Sequence, residues 1–192
     1  MPYDELAAWL RLTLTPGVGN STARKLLAAF GLPQAVFGQS STALLQVVTP
    51  AQAQALQSAP PELAGLLDLT WRWLDEEVPA TAPDGVQRRI VALGDAGYPA
   101  ALLDIEDPPL MLYLLGQVTA APGTSGARAG PSEAPTDGLA MALRRSLAMV
   151  GSRNPTPQGA SNARQFARAF SEAGLTIVSG LALGIDGAAH LG

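Results

Sequence analysis

Leu147-Ala148-Met149-Val150-Gly151-Ser152-Arg153 and, after a helical span, Thr176-Ile177-Val178-Ser179-Gly180-Leu181-Ala182-Leu183-Gly184-Ile185-Asp186 decide the fold of this 192-residue chain. Each is a short apolar run that stops at a glycine beside a small hydroxyl residue. Runs of this kind read as buried strands of a parallel sheet with both faces covered. Between them, residues 158–173 place Ala163, Phe166, Ala167 and Phe170 on one helical face and Arg164 and Arg168 on another. Gly174 stands where a helix stop belongs. The pattern is strand–loop–helix–strand, so both glycine loops fall at the carboxyl ends of strands. In open α/β sheets that edge is where ligands bind.

The loops are suited to phosphate. Gly151 and Gly180 carry no Cβ, so backbone N–H groups can come close to a ligand. Helices follow both loops, and helix amino ends favour anions. Ser152 and Ser179 add hydroxyls, and Arg153 adds a planar, permanently charged fork. Tight strand-to-helix turning alone would also explain a single such glycine. Neither a Gly-x-Gly-x-x-Gly after the first strand nor a Gly-Lys-Ser/Thr loop is present, so the common nucleotide fingerprints do not apply.

The motifs resemble those of the DNA-processing protein A family (DprA, also called Smf). The resemblance rests on Val150-Gly151-Ser152-Arg153, on Gly159, and on Ser179-Gly180-Leu181-Ala182-x-Gly184-Ile185-Asp186-x-x-Ala189-His190. Upstream, Tyr98-Pro99-x-x-Leu102-x-x-Ile105-x-Asp107-Pro108-Pro109, with Tyr113 and Gly116, is similar to the family's entry segment. The match runs from about Leu93 to His190. It implies a protein that binds and protects single-stranded DNA and passes it to the RecA recombinase in natural transformation or recombination. It also implies a homodimer at full length and no bond made or broken. With no cysteine, a lone histidine and no nucleophile elbow, no metal, cofactor or catalytic residue is expected. A cytoplasmic location is expected by default from the lack of cysteines, of a spanning apolar run and of a secretory signal. Gly151, Ser152, Arg153, Ser179, Gly180, Leu181 and Gly184 would form the DNA site. A nucleotide-binding or nucleotide-hydrolysing enzyme with a Rossmann-like domain is the alternative, and a pure protein-interaction module is a third reading.

Composition bounds these readings. The formal charge is −4, unusual for a nucleic-acid binder. From Gly138 onward, however, five arginines face one glutamate and one aspartate, a local +3 against −7 for the preceding residues. Positive charge is therefore concentrated around the glycine loops. Zero cysteines exclude disulfides and thiolate metal sites. No apolar run reaches the roughly 18 residues that span a bilayer, and the acidic start does not read as a secretory signal.

Residues 1–78 read as a small all-α domain of sterile-alpha-motif-like or helix-hairpin-helix type. Leu6, Trp9, Leu10 and Leu14 suit a first helix, and Pro16-Gly17-Val18-Gly19 breaks it. Asn20 or Ser21 can cap a second helix carrying Ala23, Leu26, Leu27 and Phe30 and ending at Gly31. Short helices are expected near 33–38, 42–47, 50–58 and 61–74. Gly17, Val18, Gly19 and Lys25, with Arg24, form a possible second DNA contact through backbone N–H groups. A tight helix–helix turn needs glycine in any case, so DNA and protein contact both stay open for this domain.

Residues 79–87 read as a linker and 88–192 as a partial Rossmann-like parallel-sheet domain, with strands near 89–93 and 110–115. Asp104, Glu106 and Asp107 read as loop and capping residues. The sole histidine, His190, stands four residues after Asp186 and reads as its structural hydrogen-bond partner. A helix is opening at Ile185 when the sequence ends, so the chain is expected to be a fragment or a short variant of its family.

Thr119–Gly138 is rich in Ala, Gly, Pro and Ser and reads as a flexible insert. Its replacement by a short Gly-Ser linker is expected to leave the melting temperature nearly unchanged. Loop closure costs only about 0.6 kcal/mol per doubling of length. Differential scanning calorimetry checks this, and a fall of many degrees would show that the insert packs on the core.

Overall fold

In the computed structural model, residues 1–77, 86–117, 143 and 145–192 are described, and the side chain of Gln117 is not. The expected insert at 119–138 and most of the expected linker at 79–87 lie outside these residues. The chain forms two units, Met1–Thr119 and Ala120–Gly192.

The first unit is organised around α1 (Tyr3–Leu14), whose Leu6, Ala8, Trp9, Leu10 and Leu12 are all buried. An amphipathic helix buries one stripe, whereas a helix apolar on several sides must be packed on several sides. Trp9 and Leu12 join one apolar cluster with Ala23, Leu26, Val36, Leu44 and Leu56. Leu6 and Leu10 join a second with Leu67 and Ile90. The first cluster draws on α2 (Asn20–Phe30), α3 (Pro33–Phe37), α4 (Ser41–Leu44) and α5 (Pro50–Leu56). The second draws on α6 (Leu63–Asp75) and the strand that follows it. Trp73 packs on this second cluster, and Trp71 meets Tyr3 edge-on at 5.1 Å.

Local chemistry fixes most boundaries. Thr49 and Gln52 form a reciprocal capping box at α5. Gly31 ends α2 with φ +88°, a left-handed value that suits glycine. The amino end of α2 departs from expectation. Its cap is Gly19, not Asn20 or Ser21. The Asn20 amide instead donates to Asp107 Oδ2 at 3.1 Å.

Strands appear near both expected positions, at β1 (Val86–Ala92), which begins within the last two residues of the expected 79–87 linker, and at β2 (Met111–Gln117). Their pairing corrects the parallel-sheet expectation for this region. They pair with each other, antiparallel, with Ile90 opposite Tyr113 and Val91 opposite Leu112. No crossover helix separates them, only a 3-10 turn over Ala100–Asp104, and parallel strands need a long crossover. The hairpin falls with the helices because Ile90, Ala92 and Leu110 enter the two helical clusters.

The second unit holds the parallel pair that the opening stretch predicts. β3 (Ser146–Ala148) lies beside β4 (Thr176–Val178), with Leu147 opposite Ile177. Between them runs α7 (Pro157–Glu172), capped by the Thr156 hydroxyl, which accepts from Gly159 N at 3.1 Å. The short α8 (Ile185–His190) follows β4. Ala163 and Ala167 of α7 are buried as expected, while Phe166 is exposed and stacks on Phe170 at 6.1 Å. The strands are less covered than their sequence implies. Ser146, Ala148 and Thr176 are exposed and Leu147, Ile177 and Val178 are half-buried, because among the described residues two strands are paired in this sheet.

Tyr98 gives the hairpin connection a testable anchor. Its hydroxyl donates to the Pro109 carbonyl at 2.7 Å, and the residue is buried. Burial raises its phenol above the usual tyrosine range, with the Arg24 charge opposing. The folded state thus favours the protonated phenol, so this contribution is present below the ordinary tyrosine pKa and lost as pH rises through the raised value. Tyr98→Phe is expected to cost about 0.5–1.5 kcal/mol near neutrality. Urea unfolding across an alkaline pH series checks it, the variant showing a flatter decline than the parent.

Candidate nucleic-acid interface

The two glycine loops of the second unit are interlocked by Ile185 and Asp186. Ile185 N donates to the Ser152 carbonyl at 3.1 Å. A Cβ on Gly151 would stand 2.9 Å from Ile185 Cγ1, closer than real Cβ contacts come. Glycine is thus required there for the loop to rest on the Ile185 side chain. Gly184 is the reciprocal case. Its φ is +96°, and a Cβ would run into the Ser152 carbonyl oxygen and the Arg153 backbone. Gly159 of α7 completes the fit, its Cβ position lying 3.8 Å from Ile185 Cδ1.

Asp186 is only 4% exposed, and its Oδ1 accepts the Gly151 N–H at 3.2 Å. The other carboxylate oxygen lies 3.6 Å from where a Gly180 Cβ would be. One carboxylate therefore sits between both loops. Sequence reasoning assigned Asp186 no role in the site beyond its place in the motif. The available signal was its position in the first turn of a helix directly after Gly184, since acidic residues favour that turn.

The second loop is held by a different pair. Ser179 Oγ lies 2.9 Å from His190 Nε2 and accepts the Leu181 N–H at 3.0 Å. Leu181 is held at φ +51°, a conformation non-glycine residues seldom adopt. His190 is thus a structural partner, but of Ser179 and not of Asp186 as its spacing implied. The helix orients Asp186 back toward Gly151, and the histidine at its carboxyl end reaches the strand end instead.

The sequence-selected residues divide accordingly. Gly151, Ser152, Arg153, Ser179, Gly180, Leu181 and Gly184 are brought together at the carboxyl ends of β3 and β4. Within this group the Gly151 and Leu181 amides are already engaged inside the loops. Ser152 Oγ accepts the Asn154 N–H at 3.1 Å. Arg153 is exposed and makes no ion pair among the described residues. The Ser152 and Gly180 amides have no protein partner among the described residues. What remains open to a ligand is one guanidinium, two amides and a serine O–H, around a buried carboxylate. Val150, Leu181 and Leu183 stand exposed beside them, at 68, 71 and 83%.

The hairpin at Gly17, Val18 and Gly19 is differently occupied. Gln52 donates its side-chain amide to the Gly17 carbonyl at 2.7 Å, and Val18 is buried. Arg24 is committed to Asp107 at 2.8 Å and to the Pro108 carbonyl at 3.0 Å. Of these two cations Lys25 stays exposed and without an ion pair among the described residues. No cluster of three or more potential metal-ligating residues occurs among the described residues, and no described helix is long and apolar enough to cross a membrane.

Residues 136–192 match the family described as DNA recombination-mediator protein A. The chain is 36% identical over 96 residues to Protein Smf of Synechocystis sp., an alignment covering 50% of this chain and 20% of that protein. It is 30% identical over 100 residues to DNA processing protein DprA of Bacillus subtilis, covering 52% of this chain and 27% of the relative. The chain thus resembles the DprA/Smf family over about half of its own length, while the matches span about a fifth to a quarter of those relatives.

The interlock is expected to fail on single substitution. Gly184→Ala adds a left-handed alanine, costing on the order of 1–3 kcal/mol, and a backbone collision besides. Asp186→Ala orphans the Gly151 N–H at about 1–3 kcal/mol. Amide hydrogen exchange reads both, Gly151 and Leu181 losing protection in the first variant and Gly151 chiefly in the second.

Proposed function

We propose, from the resemblance of residues 136–192 to the recombination-mediator proteins, that this chain binds single-stranded DNA through its glycine loops. In this reading it protects the strand and passes it to the RecA recombinase during transformation or recombination, in the cytoplasm and as a homodimer at full length. No bond is made or broken. The helical part is read as a sterile-alpha-motif-like module and the second unit as part of a Rossmann-like domain.

The observation that carries the reading is the placement of Arg153. It projects from a loop whose backbone is fixed by Ile185 and Gly184, so its charge is presented from a defined position. A planar guanidinium matches phosphate oxygens bidentately. The Ser152 and Gly180 amides lie on the same strand edge and can donate to the same backbone. Such contacts see phosphate and not base edges, so sequence preference is weak. The Asp186 carboxylate has a structural part to play: it is turned inward on the Gly151 N–H and keeps the loop shape that displays Arg153. Exposed Leu181, Leu183 and Val150 give bases an apolar surface beside the phosphate contacts.

Single strands are expected to compete better than duplex of the same sequence. Arg153→Ala is expected to weaken single-strand binding about tenfold or more, a charge-assisted contact being worth roughly 1.5–3 kcal/mol. The slope of log affinity on log salt should fall by about 0.7, the value per single-strand phosphate contact. Arg164→Ala and Arg168→Ala on α7 should change affinity less. Fluorescence anisotropy with a labelled mixed-sequence oligonucleotide over a salt series measures all three. An Arg153→Ala variant that binds like the parent would move the site to the Gly17–Gly19 hairpin. Saturable binding of nucleoside monophosphates instead of oligonucleotide would favour a nucleotide-handling enzyme.

A further inference from the structure

The first unit carries an apolar cleft of about 630 Å³ that the DNA-binding reading leaves unused. Its inner wall includes Trp9 of α1, Leu27 of α2 and Leu93, the residue that follows β1. On its rim Leu32, Leu103 and Ile105 are 60, 55 and 47% exposed. Three large apolar side chains kept in water around one depression are costly and mark an interaction site more often than chance. The indole N–H of Trp9 is buried without a hydrogen-bond partner among the described residues.

Charge decides what fits. Asp104, Glu106 and Asp107 are exposed along the same rim segment. One cation, Arg24, lines the cleft itself, and its charge is offset by Asp107 at 2.8 Å. That leaves Asp104 and Glu106 without an ion pair among the described residues. The unit as a whole is acidic: residues 1–119 hold twelve acidic and six basic side chains. An apolar slot bordered by unpaired carboxylates attracts a segment with apolar anchors flanked by Lys or Arg, and repels an acidic one. Nucleic acid is excluded by the same sign. Trp9 of α1, Leu27 of α2 and Leu103 of the 3-10 turn share the cleft with loop residues Leu32, Leu93 and Ile105. Several apolar side chains around one groove match the spaced anchors, at i, i+3 or i+4 and i+7, of the helix-in-groove mode.

We infer that the cleft between α1, α2 and the Leu103–Pro108 segment docks a basic amphipathic helix of a partner protein. The inference does not depend on the glycine loops or on DNA binding.

The test uses the full chain, labelled with ¹⁵N, and two amidated 14-residue peptides of identical Leu/Lys composition. One peptide has its leucines on a single helical face, and the other is scrambled so that no face forms. The amphipathic peptide is expected to shift the Trp9 indole signal and the Gly31 and Gly94 amides saturably, while the scrambled peptide does not. Leu32→Ser with Leu103→Ser is expected to weaken binding at least tenfold, and these exposed positions leave the fold intact. Glu106→Lys should weaken it several-fold, with a Leu/Glu version of the helix gaining affinity in that variant. The inference is overturned if both peptides act alike, if shifts fall outside the cleft, or if the substitutions leave affinity unchanged. Cleft signals that move with protein concentration alone would assign the cleft to a second copy of the chain, which overturns it as well.

Discussion

The second unit depends on one contact zone, where Ile185 and Asp186 meet the Gly151–Arg153 loop. Two strands of three residues each contribute few ladder hydrogen bonds, too few to fix the loops at their ends. The fixing comes from packing and polar contacts that cross between the loops. Ile185 fills the space a Gly151 side chain would need, its amide holds the Ser152 carbonyl, and Asp186 takes the Gly151 N–H. A buried carboxylate is costly without a partner, so Asp186 holds its loop as firmly as the loop holds it. Remove the zone and Arg153 becomes a side chain on an unanchored turn.

The same zone separates structural from available groups. Of the donors that a glycine loop offers, the Gly151 and Leu181 amides are consumed in shaping the site. The donors left over are the Arg153 guanidinium, the Ser152 and Gly180 amides and the Ser152 O–H, whose oxygen at the same time accepts the Asn154 N–H. Structure and recognition are thus divided between neighbouring atoms of one motif. At the Gly17–Gly19 hairpin the Gly17 carbonyl is taken by Gln52, and the neighbouring Arg24 is taken by Asp107.

Electrostatics divides the molecule in a similar way. The acidic first unit and the arginine-bearing second unit are suited to different partners, and the low net charge of the whole hides both. A sum over a chain reports solubility; a local imbalance reports recognition. The apolar cleft belongs to the acidic unit and the glycine loops to the arginine-bearing one, so the two proposed sites differ in charge as well as in place in the chain.

Much of the local structure was legible in the sequence. Helix periodicity, the stops at Gly31 and Gly174, and the apolar runs ending at Gly151 and Gly180 all encode φ preferences or burial within a few residues of themselves. The parallel pairing of β3 and β4 followed from the helix between them, and the family resemblance from motifs in order. Tertiary structure decided the rest, because the choice of partner depends on packing between residues distant in sequence. β1 and β2 were recognisable as strands, but their antiparallel pairing and their union with the helices rest on Ile90, Ala92 and Leu110 entering the helical clusters. Arg24 reaches Asp107 across 83 positions and Asp186 reaches Gly151 across 35. The Asp186–His190 spacing suggested a pair, yet the helix turned one toward Gly151 and the other toward Ser179. Sequence spacing places two residues on a helix face; only the surfaces packed against that helix determine which atoms each of them meets.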